Sequence, residues 1–168
     1  QVVSLEVTNT ADSGPGSLRQ ALLNTVITED DDRIRFHPSL SGKTIVLSNE
    51  IPIFAIAGVF IDASSLPGGL ILSGNHTTRI LSIGVNRTAL KGLTFINGRS
   101  VSPEVPVTGG AIDSAGSLYV SDCVFSNNVS GGQGGAIFSS GTSSVLTLSN
   151  CTFIGNSSRT AGAVFCAR

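Results

Sequence analysis

Asp113, Asp122 and Glu104 are the only acids from Gly69 to the end of the chain. An enzyme acting on acidic polysaccharide needs carboxylates converging on one face, with an Arg or Lys beside them, to hold Ca²⁺ or to act as acid and base. In the repeat described below, Asp113 gives way to Phe138 and Phe165, and Asp122 gives way to Asn150. Both acids therefore read as isolated surface groups or turn caps. Glu29–Asp32 is an acidic run, but it lacks the spaced ligands and glycine of a calcium loop and reads as a solvated turn. Asp62 closes an apolar run, where it is placed to bond turn amides. His37 and His76, the only histidines, lie in unrelated contexts, and no Cys-x-x-Cys is present. Neither a Ser–His pair nor a zinc site is expected. Trp is absent, Tyr119 is the only Tyr, and the eight Phe read mostly as core, which leaves little for a sugar platform. No catalytic residue, metal or cofactor is expected.

The three cysteines, Cys123, Cys151 and Cys166, cannot all pair within one chain. Cys123 and Cys151 occupy equivalent positions one period apart. Their spacing suits a disulfide, but side chains pointing the same way would strain it, so two buried thiols are the alternative. Five N-x-Ser/Thr sequons, at Asn75, Asn86, Asn128, Asn150 and Asn156, are candidate glycosylation sites. Asn128 and Asn156 each follow an equivalent Phe by three residues, which places them at one turn edge, either as a row of sugars where the host glycosylates or as unmodified Asn stacking at the turn. The first residue is Gln1 and not Met, consistent with a removed leader and, with the sequons, an extracellular protein.

The elements that must position these residues repeat. Gly109-Gly-Ala-Ile-Asp113 returns as Gly134-Gly-Ala-Ile-Phe138 and, weakened, as Ala161-Gly-Ala-Val-Phe165. Asp122-Cys-Val-Phe-Ser-Asn-Asn128 returns as Asn150-Cys-Thr-Phe-Ile-Gly-Asn156, and Leu118–Ser121 as Leu146–Ser149. Each period thus holds three short alternating runs, the pattern of strands, separated by Gly, Ser and Asn that bend the chain. Three strands and three bends make one triangular coil, and coils stack at about 4.8 Å. Phe125 then lies beneath Phe153, Cys123 beneath Cys151, and Ile112 beneath Ile137 and Val164. The pattern predicts an all-β parallel β-helix in which each coil buries its core against its neighbours.

Ahead of the repeat, Gln1–Thr10 alternates like a strand. Ser17-Leu-Arg-Gln20 fits a capping box, opening a helix of about two turns that ends near Asn24. Val7-Thr-Asn-Thr-Ala-Asp-Ser-Gly-Pro-Gly-Ser-Leu-Arg-Gln-Ala-Leu22 resembles the opening of secreted bacterial β-helix repeat proteins similar to polymorphic outer-membrane proteins and autotransporter passengers. The resemblance continues through Asp32–Phe36, Thr44–Leu47, Val59–Asp62, Leu70–Asn75 and Leu90–Gly98. It implies a right-handed parallel β-helix with an N-terminal capping helix. It fixes no activity, because this architecture hosts adhesins, filaments and carbohydrate-active enzymes alike. A single domain is expected over 1–168, with a strand and cap in 1–40, irregular coils in 41–108 and regular coils in 109–168. Pro103 and Pro106 mark a protruding loop.

A net charge of −1 gives no case for nucleic acid, and the longest apolar run, Ile51–Ile61, is too short to span a membrane. The expected function is that of a non-enzymatic, extracellular, structural subunit that associates with itself. Its last coil opens with Val164 and Cys166 and no cover follows; either a longer repeat array is cut there, or the alternating strand Gln1, Val3, Leu5, Val7 is the natural donor that completes it in a neighbour. An odd thiol at Cys166 would lock that junction. The alternative is a carbohydrate-active enzyme, or an adhesin fragment that meets surface glycans.

Overall fold

In the computed structural model, residues 5–25, 31–55, 57–84, 86–102 and 107–167 are described. Five coils follow a cap. The cap holds β1 (Glu6–Val7) and α1 (Leu18–Asn24). The first coil holds β2 (Asp32–Phe36), β3 (Lys43–Val46) and β4 (Ile51–Ile53), and the second β5 (Val59–Asp62), β6 (Leu70–Ser73) and β7 (Leu81–Ile83). The third contains β8 (Thr88–Lys91), β9 (Leu93–Ile96), β10 (Arg99–Ser100) and β11 (Ile112–Ser114). The fourth contains β12 (Leu118–Ser121), β13 (Val124–Ser126), β14 (Val129–Gln133) and β15 (Ile137–Ser139). The fifth contains β16 (Leu146–Ser149), β17 (Thr152–Ile154), β18 (Ser157–Thr160) and β19 (Val164–Cys166).

Equivalent strands pair in parallel from coil to coil and form three long sheets, ordered β1-β2-β5-β8-β12-β16, β3-β6-β9-β13-β17 and β4-β7-β11-β15-β19. The molecule is a parallel β-helix. From Arg99 onward a fourth, three-stranded sheet, β10-β14-β18, joins the three that the sequence pattern reveals. Coil structure begins at Asp32, ahead of the boundary at 40 read from the sequence. Asp32 itself is a buried strand residue rather than part of a solvated turn. Glu29, Asp30, Glu104, Pro103 and Pro106 lie outside the described residues.

The core is a set of ladders. Phe95, Phe125 and Phe153 stack face to face at 4.8 and 5.0 Å, with interplanar angles of 6° and 8°. Their Cα atoms are direct register partners, so the strand spacing sets the ring spacing. The Leu81–Ile112–Ile137–Val164 and Thr88–Leu118–Leu146 columns follow the same rule. Phe95 and Phe125 are fully buried. Phe153 and Cys151, one coil further on, are only partly buried, and among the described residues no strand pairs beyond β17.

The Gly-Gly pairs of the repeat have a steric cause. Gly109 and Gly134 sit at φ +54° and +64°, and a Cβ on Gly110 or Gly135 would run into the carbonyl of Gly135 or Gly162 in the next coil. In the weakened third copy, Ala161 takes the left-handed position at φ 59°.

The cap is held by the opening motif. Ser17 Oγ accepts from the Gln20 amide, closing the N-terminus of α1. Leu18, Ala21 and Leu22 are buried on the first coil. Arg19 bonds Asp12 and the carbonyls of Asn49 and Glu50, while Asp12 accepts from Ser48. Burial alone would raise the Asp12 carboxyl, but the Ser48 and Arg19 hydrogen bonds bring it below the usual carboxylate range.

Phe125→Ala should destabilise the fold by about 3–5 kcal/mol, the range for truncating a buried aromatic. Phe153→Ala should cost clearly less, since among the described residues its ring stacks on Phe125 alone and is only partly buried. Chemical denaturation of the two variants checks the order. In the same assay Ala161→Gly should stabilise by up to about 1–2 kcal/mol, by relieving a left-handed residue that carries a Cβ.

Candidate functional site

The acids are tied up locally. Asp113 is not isolated: the Arg79 guanidinium joins it (3.5 Å) to Glu50 (2.9 Å), a pairing across coils that the sequence did not reveal. The same guanidinium donates to Ser100 Oγ and to the carbonyls of Thr108 and Gly109, so its donors clip the sheet edges together. Asp122 accepts from Asn150 Nδ2 at 2.8 Å. Asp62 Oδ1 accepts from the Ser64 amide at 2.9 Å, as the turn position predicts. Among the described residues no three His, Cys, Asp or Glu converge as a metal site.

Of the two readings of Asn128, a sugar-bearing turn edge or a stacked, unmodified Asn, the structure fits the second. Asn128 does not project from a turn edge. It is fully buried, with Nδ2 donating to the Phe95 carbonyl (3.1 Å) and to Asn156 Oδ1 (2.9 Å) while Oδ1 accepts from the Gly98 amide (2.8 Å). Both amide hydrogens are used, so none faces a glycan. Asn156 repeats the pattern one coil on, donating to the Phe125 carbonyl at 2.9 Å. The two form an asparagine ladder beside the phenylalanine ladder. Asn86 Nδ2 bonds Thr88 Oγ1 from a half-buried position. Asn75 and Asn150 are exposed, both at left-handed turn positions.

Cys123 and Cys151 are free thiols. Each points inward and donates to carbonyls, Cys123 to Ser121 and Leu90, Cys151 to Ser149 and Val120. Burial pushes the Cys123 thiol up from 9.0 to about 12. Cys166 is exposed on β19.

At the N-terminal end, Val7 is not free to be donated. It is fully buried and pairs with Phe36, while Glu6 pairs with Arg35. The Leu5 carbonyl accepts from Arg35, and Leu5 packs against the core. This corrects the donor-strand expectation: β1 is already the first rung of its own molecule, and releasing it would open the core. Gln1 and Val3 lie outside the described residues. Val164 is half-buried on the last rung.

The outer face of the first sheet holds what the sequence did not show. The register stacks Arg33, Phe60, Ala89, Tyr119 and Thr147 in one outward column, and Asp62, Lys91, Ser121 and Ser149 in the next. Between them runs a groove of about 280 Å³ along the coil axis. Phe60 is therefore not core, and nor are Phe138 and Phe165, which stack at 5.7 Å outside the third sheet, or the exposed Phe54. Arg33 Cζ sits 4.8 Å and Arg87 Cζ 5.6 Å from the Phe60 ring centroid, and Arg87 is anchored by Asp31. Burial raises the Asp62 carboxyl, but hydrogen bonds from Ser64 and the charges of Lys91 and Arg33 bring it below its ordinary value.

Residues 122–140 match the Chlamydia polymorphic membrane protein repeat. The match covers most of one coil and includes Phe125, Asn128 and the Gly134-Gly135 pair, whose roles here are interior stacking and close coil contact. With the five-coil solenoid, the chain is thus a β-helix repeat protein resembling polymorphic membrane protein and autotransporter passenger repeats. No curated protein sequence and no solved structure matches the chain.

Asn128→Ala should cost about 2–4 kcal/mol, because several buried partners each lose a bond at about 1–3 kcal/mol. Equilibrium unfolding measures this, and intact mass of material from a glycosylating host should show no sugar on Asn128. Native thiol labelling should modify Cys166 first and Cys123 last. The folded state holds the Cys123 proton more tightly than the unfolded chain. Its stabilising contribution is therefore complete below pH 9 and is lost as pH rises toward 12, which unfolding at stepped alkaline pH checks.

Proposed function

We propose that this chain is a non-enzymatic, extracellular structural β-helix of the surface-displayed passenger type, whose copies join end to end. The repeat match and the solenoid support the passenger character. Among the described residues no helix is long and apolar enough to cross a membrane. One observation carries the association. Leu118, Phe125 and Ile137 are fully buried in the fourth coil, while their register partners Leu146, Phe153 and Val164 in the fifth are only partly covered. Among the described residues these inward side chains and the β16, β17 and β19 edges meet no further strand, an apolar surface that suits a second copy.

The contact we propose is stacking, with β1 kept in place. The open fifth coil of one copy seats on the β1 and α1 end of the next, and the first sheet runs on between them. Such a heterologous contact propagates without closing and gives a filament. Cys166, exposed at the same end, is available to cross-link the junction. Sedimentation over a concentration series should show mass rising with concentration, and negative-stain images should show fibres of single-solenoid width. Leu146→Lys with Val164→Lys should leave folded monomers. An intact protein that stays monomeric at high concentration overturns the association.

A further inference from the structure

We propose that the groove outside the first sheet binds an acidic glycan, with a pyranose ring seated over Ala89 between Phe60 and Tyr119 and its carboxylate or sulfate on Lys91. This goes beyond end-to-end association and stands without it, since the groove lies on the side of the solenoid.

The slot comes from one small residue. Phe60 and Tyr119 share a column two rungs apart, and the rung between them carries Ala89. At about 4.8 Å per rung, the two aromatic positions are roughly 10 Å apart. Two contacts at normal carbon separation fill only about 7–8 Å, so a flat ring would leave a gap. A puckered pyranose with its substituents is thicker, and its C–H faces pack on aromatic rings while its hydroxyls stay at the rim. Phe60 is set in advance, with Arg33 against its ring and Arg87 held by Asp31. Tyr119 is 38% exposed, and its hydroxyl has no partner among the described residues.

The second column supplies polar recognition. Lys91 stands beside Ala89 at the middle of the groove; among the described residues no carboxylate lies within 4.0 Å of it, while its charge acts on Asp62, its register partner. Asp62 lies one rung below, and Ser121 and Ser149 lie one and two rungs above. A cation flanked by neutral hydroxyls on one side and one carboxylate on the other selects an anionic group directed toward the serines. Sugars of an extended chain can then follow the groove along the coil axis toward Thr147.

The protein carries its own probe. Tyr119 is the only Tyr and there is no Trp, so near-ultraviolet emission beyond phenylalanine reports the slot alone. The intact protein is titrated with a hexuronate, a sulfated and a sialylated oligosaccharide, and with a neutral oligosaccharide of equal length. Tyr119 emission and calorimetry follow each titration. A saturable change is expected with at least one acidic ligand, with weakening as salt is raised. The arms separate carboxylate from sulfate recognition. Ala89→Leu, which fills the slot from an outward position, should abolish the change. Lys91→Gln should weaken binding at least about tenfold, the scale of a charge-assisted hydrogen bond. Circular dichroism should show both variants folded. Binding of none of the three acidic ligands, equal binding of the neutral one, or binding unchanged in folded Ala89→Leu overturns the proposal.

Discussion

In-register stacking of like side chains at the strand spacing is the interaction on which this molecule depends. A parallel strand pair fixes Cα partners one rung apart, so any inward residue meets its counterpart in the next coil and little else. Phe95, Phe125 and Phe153 show the consequence: three rings, near-parallel, 4.8 and 5.0 Å apart. The asparagine ladder obeys the same geometry with polar groups. Asn128 reaches down to the Phe95 carbonyl and the Gly98 amide and up to Asn156, so a buried side chain hydrogen-bonds the turn across coils. Glycine completes the set, since coils approach closely at Gly110 and Gly135 only because no Cβ intervenes.

The same geometry builds the outside. Outward residues also stack into columns, and a column is a linear array at fixed pitch. Where it holds Arg33, Phe60, Ala89 and Tyr119, the one small side chain between two aromatic ones leaves a slot. Where it holds Asp113, Phe138 and Phe165, it gives a clip to Arg79 and then an aromatic stack. Interior ladders hold the rungs in register, and the exterior columns inherit that order without contributing much to it. This division leaves the outer faces free to vary in function.

The sequence disclosed the repeat best where it is strongest. From Gly109 on, the motifs recur at nearly constant spacing, and the predicted partners of Phe125, Ile137 and Cys123 follow. The cap was also legible, because Ser17 and Gln20 form a local motif whose geometry needs no tertiary information. The sequence left Asn128 open between a glycan and a stacked Asn, because a sequon looks the same on a surface turn and in a buried ladder. A signal was present: Phe95-Ile-Asn-Gly98, Phe125-Ser-Asn-Asn128 and Phe153-Ile-Gly-Asn156 each place a left-handed residue third, which turns the fourth inward. Phe60 escaped notice because the second coil lacks the repeat motif, so its face could not be assigned by counting. The Arg79 clip joins residues far apart in sequence whose meeting only the coil register determines.

The central claim is that stability passes between adjacent rungs through these stacks. A double-mutant cycle on the phenylalanine ladder tests it most directly, with Phe95→Leu, Phe125→Leu and Phe153→Leu made singly and in pairs. Adjacent rings should couple by about 0.5–1.5 kcal/mol, the scale of an aromatic pair beyond area burial. Phe95 and Phe153, two rungs apart, should be additive within about 0.5 kcal/mol. Additivity of Phe95 with Phe125, or coupling of Phe95 with Phe153 as strong as that between neighbours, would contradict the account.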